Sequence, residues 1–291
     1  MSTQVTTAFV QQYSANVQML SQQMGSRLRE AVRIENVVGK NAFIDQIGSA
    51  TAAIRTTRHA DTPQTDTPHS RRRLTLADYE YADLIDDQDK VRMLIDPTSS
   101  YAKAAAAGMG RAMDDVIIAA ALGTASTGET GSGTQALTNT IADGNTNLTL
   151  AKLREAKFTL DSSDVDPSIP RYIAVGPSQI QSLLADTTVT SSDFNTVKAL
   201  VQGELDTFMG FRFIMTNRLT TSDGSETDDI RNCFAWAEDG LTLGLGKDIS
   251  ARIDERADKS YATQVYYCMS IGAVRMEEAK VVQINCDESP D

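Results

Sequence analysis

With 291 residues, the chain is long enough to bury a large apolar core, in one elaborate domain or two linked ones. Its 41% hydrophobic and 23% charged residues exclude a fibrous repeat and give no sign of disorder, and no run approaches the roughly 20 consecutive apolar residues of a membrane-crossing helix. The net charge of -12 is uneven: residues 1–73 hold nine Lys/Arg against five Asp/Glu and the remainder 18 against 34, so a basic leading segment precedes an acidic body that would repel DNA at close range and suits a container better than a sequence reader.

Met1 to Val10 lacks the basic then apolar layout of a secretory signal, so the chain is expected to stay in the cytosol where it is made. From Phe9 onward, Phe9, Tyr13, Val17, Leu20, Met24 and Leu28 recur at intervals of three and four, which predicts a helix with one narrow apolar stripe. Such a stripe either packs on its own core or lies on a neighbouring subunit as an arm. Next, Phe43, Ile44, Ile47, Ile54, Leu74, Leu76 and Tyr79 form two short strand-like runs around a polar tip from Thr56 to Ser70. That tip holds Pro63 and Pro68 and cannot bury itself; it is a disordered loop or a two-stranded projection that needs a partner surface.

Asp96-Pro97 opens the clearest helix, with Asp as cap and proline at the first helical position; the helix runs to about Leu122 and Gly123 ends it. Its alanines suit a long spine that other elements approach closely. Gly123 to Asn147 is rich in Gly, Ser, Thr and Asn and is expected to be a flexible connection. A second globular region then alternates helix and strand: helix Leu150 to Asp161, strand Arg171 to Val175, helix Ser178 to Ala185, and a helical Phe194 to Val201. After a glycine turn, Phe211, Phe213 and Met215 alternate along a strand with one apolar face. Cys233 to Ala237 and Leu241 to Leu245 flank Asp239-Gly240, a hairpin signal, and further strands are expected at Ala251 to Glu255, Thr263 to Ile271 and Ala279 to Asn285.

Candidate chemistry is sparse. The two histidines, His59 and His69, lie in the polar tip, where no third group fixes a base, so no catalytic role is assigned. Asp86-Asp87-Gln88-Asp89 lacks the glycine and terminal Glu of a calcium loop, and Gly128, Gly131 and Gly133 precede no Lys-Ser/Thr, so neither a metal nor a cofactor is expected. Cys233, Cys268 and Cys286 lie far apart without CxxC spacing and read as free thiols. One charge cluster stands out: Arg71-Arg72-Arg73, with Arg55 and Arg58 expected opposite it in the hairpin. It is either a solvated loop or an ionic dock for an acidic patch on a neighbouring subunit.

Two segments, RRRLTLADYEYADLIDDQDKVRMLIDPTSSYAKAAAAGMGRAMDDVIIAAALG (Arg71 to Gly123) and VKALVQGELDTFMGFRFIMTNRL (Val197 to Leu219), resemble major capsid proteins of tailed bacteriophages, and the resemblance extends more loosely over nearly the whole chain. It implies an α+β fold of the Hong Kong 97 capsid type, with an N-terminal arm (1–37), an extended β-hairpin loop (38–85), a peripheral domain with a long spine helix (86–164), an axial domain (165–232) and peripheral-domain strands (233–291). It further implies a non-enzymatic virion protein that assembles in the host cytoplasm, with copies of itself, into pentameric and hexameric capsomers of an icosahedral shell around double-stranded DNA, without sequence-specific binding and without a membrane. Because the arm begins almost at Met1, a separate scaffolding protein is implied, together with a portal. Lys40 is the only lysine before Lys90 and matches no crosslinking motif, so no covalent crosslink is expected. The nearest rival is an encapsulin-like nanocompartment shell protein; a small-molecule hydrolase lacks its polar cluster, and a DNA-binding regulator conflicts with the acidic body.

Overall fold

In the computed structural model, which describes residues 21–59, 61–62, 64–86, 98–185, 207–222 and 229–289, one long helix and three sheets form the body. Helix α1 (Thr98–Leu122) has 25 residues, about 37 Å at 1.5 Å per residue. Ala105, Met109, Met113, Ile117 and Ala121 are buried at helical spacing along it. Its C-terminus is closed by Arg275, which is 0% exposed and donates to the carbonyls of Ala121 at 2.8 Å, Gly123 at 2.6 Å and Gln135 at 2.9 Å. A cation at this end also meets the negative pole of the helix dipole.

Strands β1 (Arg33–Asn36), β13 (Leu241–Arg256), β14 (Ala262–Arg275) and β4 (Ala77–Ile85) form a four-stranded sheet in the order β1-β13-β14-β4, against which α1 packs. The two strands expected at Ala251 to Glu255 and Thr263 to Ile271 are the outer halves of one long antiparallel ladder between β13 and β14. Its register shifts between Leu245 and Lys247 and again between Lys247 and Ser250.

A second sheet has the order β7-β15-β12-β8-β10-β9, with β11 (Thr221–Ser222) beside β12. Its strands are β7 (Thr140–Ile141), β15 (Val281–Asp287), β12 (Ile230–Ala237), β8 (Arg171–Val175), β10 (Phe211–Met215) and β9 (Thr207–Phe208). All five residues of β8 are buried, as a central strand covered on both faces requires. Helices α2 (Leu150–Ser162) and α3 (Pro177–Ala185) flank it in sequence. Thr149 caps α2 by accepting the Lys152 amide. Trp236 lies at the centre of the core, stacked on Tyr172 at 5.7 Å, and donates its indole N–H to the Ala31 carbonyl at 2.8 Å.

The third sheet, β2-β3-β5-β6, is built from β2 (Asn41–Ile47), β3 (His69–Thr75), β5 (Ala125–Thr127) and β6 (Gly133–Gln135). Its root is set into the first sheet. Gly244 and Gly272 face each other across β13 and β14, and a Cβ on either would meet the Leu74 side chain, at 2.6 Å and 3.2 Å. Two side-chain-free positions thus form the notch that receives the fully buried Leu74. Leu76 alone separates β3 from β4, so the chain leaves one sheet and enters another within a single residue.

Two expectations are corrected. Asp239-Gly240 joins no hairpin: Glu238–Gly240 is a 3-10 turn that carries the chain between sheets, because β12 is paired on both sides with β15 and β8 while β13 pairs with β1 and β14. The connection from Gly123 to Asn147 is not merely flexible. It contains β5, β6 and β7, since small polar residues also suit short strands added to an existing edge. The expected boundary between residues 232 and 233 falls inside β12. The Asp96-Pro97 cap, the helix expected at Phe194 to Val201, the run Asp87 to Asp89 and the arm positions Phe9, Tyr13, Val17 and Leu20 lie outside the described residues.

Replacing Arg275 by methionine is expected to leave three carbonyls without their donor and Glu278 without one of its nearby cations in the interior. It should cost about 3–5 kcal/mol of unfolding free energy in urea denaturation, the range for removing one member of a buried charged cluster.

Candidate functional site: the projecting loop and its anchors

The hairpin of β2 and β3 pairs Asp45 with Arg71, Ile44 with Arg72, Phe43 with Arg73 and Ile47 with His69. Arg55 and Arg58 therefore do not face the arginine triplet as expected; they lie beyond the last pair, in the tip. The alternation of the strands decided this, because residues 41–47 supply the seven partners that β3 needs and nothing is left for residue 55.

The three arginines have separate fates. Arg71 forms an ion pair with Asp45 at 2.5 Å and lies 5.5 Å over the exposed Phe43 ring; its hydrogen bond holds the Asp45 carboxyl below the usual range. Arg72 is buried, donates to the Met276 carbonyl at 2.8 Å and pairs with Glu278 at 2.9 Å. Glu278 also lies 3.6 Å from Arg275, so one carboxylate serves the loop root and the helix-capping guanidinium together. Burial pulls the Arg275 pKa below its ordinary value, and the charge of Glu278 opposes this. Arg73 packs on the turn between β5 and β6, where a Cβ on Gly131 would meet its side chain at 2.6 Å. Arg55 donates to the Thr57 carbonyl at 3.1 Å, and both Arg55 and Arg58 are exposed.

Beyond the paired strands, every described residue from Ile47 to Asp66 is exposed. The exposed apolar side chains on the projection are Phe43, Ile47 (71%) and Ile54 (90%), with Val38 (98%) at its base. His59 is in the tip with a positive φ of 62°, and His69 opens β3; neither is held by a third group among the described residues.

A second anchor fixes the segment that leads out of the N-terminal stripe. Asp114 on α1 is 0% exposed and accepts from Gln23 Nε2 and Ser26 Oγ at 2.5 Å and from the amides of Arg27 and Leu28 at 3.1 Å. Arg111, one turn earlier, donates to Gln22 Oε1 at 2.9 Å and to the Gln23 carbonyl at 3.1 Å. The crossing is close because α1 has a glycine there: a Cβ on Gly110 would lie 2.4 Å from the Gly25 backbone. Of the described members of the stripe, Leu28 is buried and Met24 exposed. Asp114, Gly110 and Arg275 were not singled out in the sequence. An aspartate among the apolar positions of an alanine-rich helix was the one local signal available.

Among the described residues no three His, Cys, Asp or Glu side chains gather as a metal site, and no helix is long and apolar enough to cross a membrane. Cys233 and Cys286 are buried free thiols, and hydrogen bonding from Cys286 with burial pushes the Cys233 pKa well up. The arrangement is that of a packed body with a hairpin pinned at its root and exposed at its tip.

The sequence matches the family described as phage capsid protein over residues 5–288. The chain belongs to that family. Solved capsids agree with the fold of this capsid protein across its length. The capsid of the cyanophage P-SCSP1u is 16% identical with a TM-score of 0.73, covering 98% of this chain and 95% of that one. The capsid of the Helicobacter pylori bacteriophage KHP30 is 10% identical with a TM-score of 0.76, covering 99% and 98%. That of the Ralstonia phage GP4 is 10% identical with a TM-score of 0.70, covering 96% and 95%. The Hong Kong 97 type of fold is thereby shown, with its mixture of helix and strand. No curated protein matches the chain.

Exchanging Asp114 for alanine is expected to free the segment around Arg27 without unfolding the body. Trypsin should then cut after Arg27 and Arg29 at least tenfold faster, while the melting temperature falls by a few degrees, as the loss of about 1–3 kcal/mol of buried hydrogen bonding implies.

Proposed function

We propose that this capsid protein is a major capsid subunit that assembles with copies of itself into pentamers and hexamers, which close an icosahedral shell around double-stranded DNA. It does so as a structural, non-enzymatic protein, with a separate scaffolding protein and a portal as partners, in the host cytoplasm. The observation that carries this reading is the projecting loop: its root is locked by Leu74 and Arg72, while its tip is exposed and bears isolated apolar side chains. A single polypeptide has no use for so firmly anchored an arm with nothing to hold, whereas a sister subunit supplies the missing surface.

In this reading residues up to about Val37 form the arm, rooted in the body by Leu28, Ala31 and β1, and its stripe of Phe9, Tyr13, Val17 and Leu20 lies on a neighbour. Residues 38–85 form the extended loop, with α1 and the sheet of β13 and β14 as the peripheral domain. The sheet around β8 and β10 supports the axial domain. Because β12 and β15 belong to that same sheet, the two domains share it instead of meeting at a linker. Five-fold and six-fold settings require one surface to be used at slightly different angles, which a pinned root with a projecting tip accommodates. Burying Ile47 and Ile54 contributes on the order of 1.5–3 kcal/mol each before association costs, and a closed shell engages all such contacts at once. The ionic part of the docking falls to Arg55 and Arg58, because Arg71 and Arg72 already have carboxylates within their own chain.

Replacing residues 50–66 with a two-glycine turn keeps the pair of Ile47 with His69. It is expected to give a folded subunit with an unchanged circular dichroism spectrum that forms no closed shells by negative-stain electron microscopy; normal shells would refute the loop's role. The double variant Arg55→Glu, Arg58→Glu should slow assembly at least tenfold in light scattering at low salt, with the defect shrinking as salt screens the charges.

A further inference from the structure

A cleft of about 480 Å³ opens between α2, the segment leading into β8, and the turn between β9 and β10. Its wall carries Lys157, Arg171 and Arg212 against one carboxylate, Asp161, a local reversal of sign in a chain of net charge -12. Only one of the three cations is neutralised: Arg171 pairs with Asp161 at 2.6 Å and donates to the Val165 carbonyl at 3.0 Å. Lys157 and Arg212 form no ion pair among the described residues, and Arg212 instead lies 5.9 Å over the Tyr172 ring. The Arg171 side chain is 93% buried, and its Nε–H has no acceptor among the described residues. A buried guanidinium donor left without a partner is costly and marks a place where an acceptor is missing. Ile169 and Met209, both half-buried, add an apolar strip beside these charges.

We propose that this cleft binds the phosphate group of a nucleotide unit. Arg212 and Lys157 take the phosphate oxygens, the unpartnered Arg171 Nε–H offers one further donor behind them, and the Ile169–Met209 strip lies against sugar or base. Guanidinium forks fit phosphate in a bidentate manner, and an apolar strip beside a cation cluster suits a nucleotide better than a bare inorganic ion. The nucleotide unit comes either from a nucleic-acid strand or from a free mononucleotide. The proposal goes beyond the shell reading and does not need it, since none of these residues belongs to the projecting loop or its anchors.

The test is fluorescence anisotropy of a labelled 20-nucleotide single-stranded DNA with the full chain, with thymidine 5′-monophosphate, inorganic phosphate and a poly-glutamate peptide as competitors. The strand should bind with a log–log salt slope of about -0.7, the value for one phosphate neutralised on a single strand. Lys157→Glu with Arg212→Glu should weaken binding at least tenfold. The charge-matched control Arg252→Glu with Lys259→Glu, two exposed positions away from the cleft, should stay within twofold. If the reversal destabilises the chain in a thermal melt, Lys157→Gln with Arg212→Gln takes its place. Displacement of the strand by millimolar thymidine 5′-monophosphate in the wild type identifies the free nucleotide as the source; failure to displace it identifies the strand. Equal weakening in cleft and control variants, no binding of either DNA or mononucleotide, or displacement by inorganic phosphate or poly-glutamate as effective as by the nucleotide would each overturn the proposal. Shells scored by electron microscopy for the cleft variant keep that outcome separate from the shell reading.

Discussion

One buried guanidinium joins the parts of this molecule that the chain order keeps far apart. Arg275 closes the C-terminus of α1, holds the following strand segment through the Gln135 carbonyl, and shares Glu278 with Arg72 at the root of the projecting hairpin. Desolvating two arginines and a carboxylate is costly, and the Arg275–Glu278 contact at 3.6 Å is too long to offset it alone. The backbone carbonyls make up the difference, because each would otherwise be a buried acceptor without a donor. The cluster is therefore a geometric lock more than a source of net stability: it has one low-energy arrangement, and that arrangement fixes helix, hairpin and sheet together.

Asp114 performs the converse task nearer the middle of α1. A buried carboxylate collects the amides and side chains of residues 23–28, while Gly110 lets that segment cross against the helix. The helix thus carries a buried acceptor on its flank, which holds residues 23–28, and a buried donor at its end, which is tied through Glu278 to the root of the projecting hairpin. Buried contacts are concentrated at the root of the hairpin, and the described residues of its tip are exposed. This division is what a subunit needs if its body keeps one shape while its contacts differ slightly from one neighbour to the next.

How much of this was legible in the sequence depended on whether the signal was local. Arg171–Val175, placed between two helices, reads as a strand and is one, and the alternation from Phe211 to Met215 behind Gly210 gave both turn and strand. The spine helix was equally plain, because a run of alanines and a terminating glycine act within a few residues. What failed was partner choice. Asp239-Gly240 is a true reversal, but a turn signal does not say which strand lies alongside, and here each flanking strand already had two better neighbours. The notch of Gly244 and Gly272 is invisible without Leu74, which comes from 170 residues earlier in the chain. The arginine triplet looked like one surface patch for the same reason. A charge in sequence carries no record of burial, and Arg72 meets its carboxylate 206 residues downstream.

In the docking role proposed above for the projecting tip, its sparse apolar content balances solubility against association. A tip with a contiguous apolar face would join any other exposed apolar surface before its proper site was available. Single isoleucines separated by polar residues contribute only a few kcal/mol each on burial, less than the cost of immobilising a free subunit. A lone encounter between two chains then dissociates, and a wrongly angled contact is released before further subunits lock it in. Once several neighbours are in place, each additional loop closes within an existing frame and its small contribution is no longer set against the loss of free tumbling. Weakness at each tip, combined with immovable roots, is therefore the condition under which many copies of one chain can correct their mistakes and still hold together when the last one arrives.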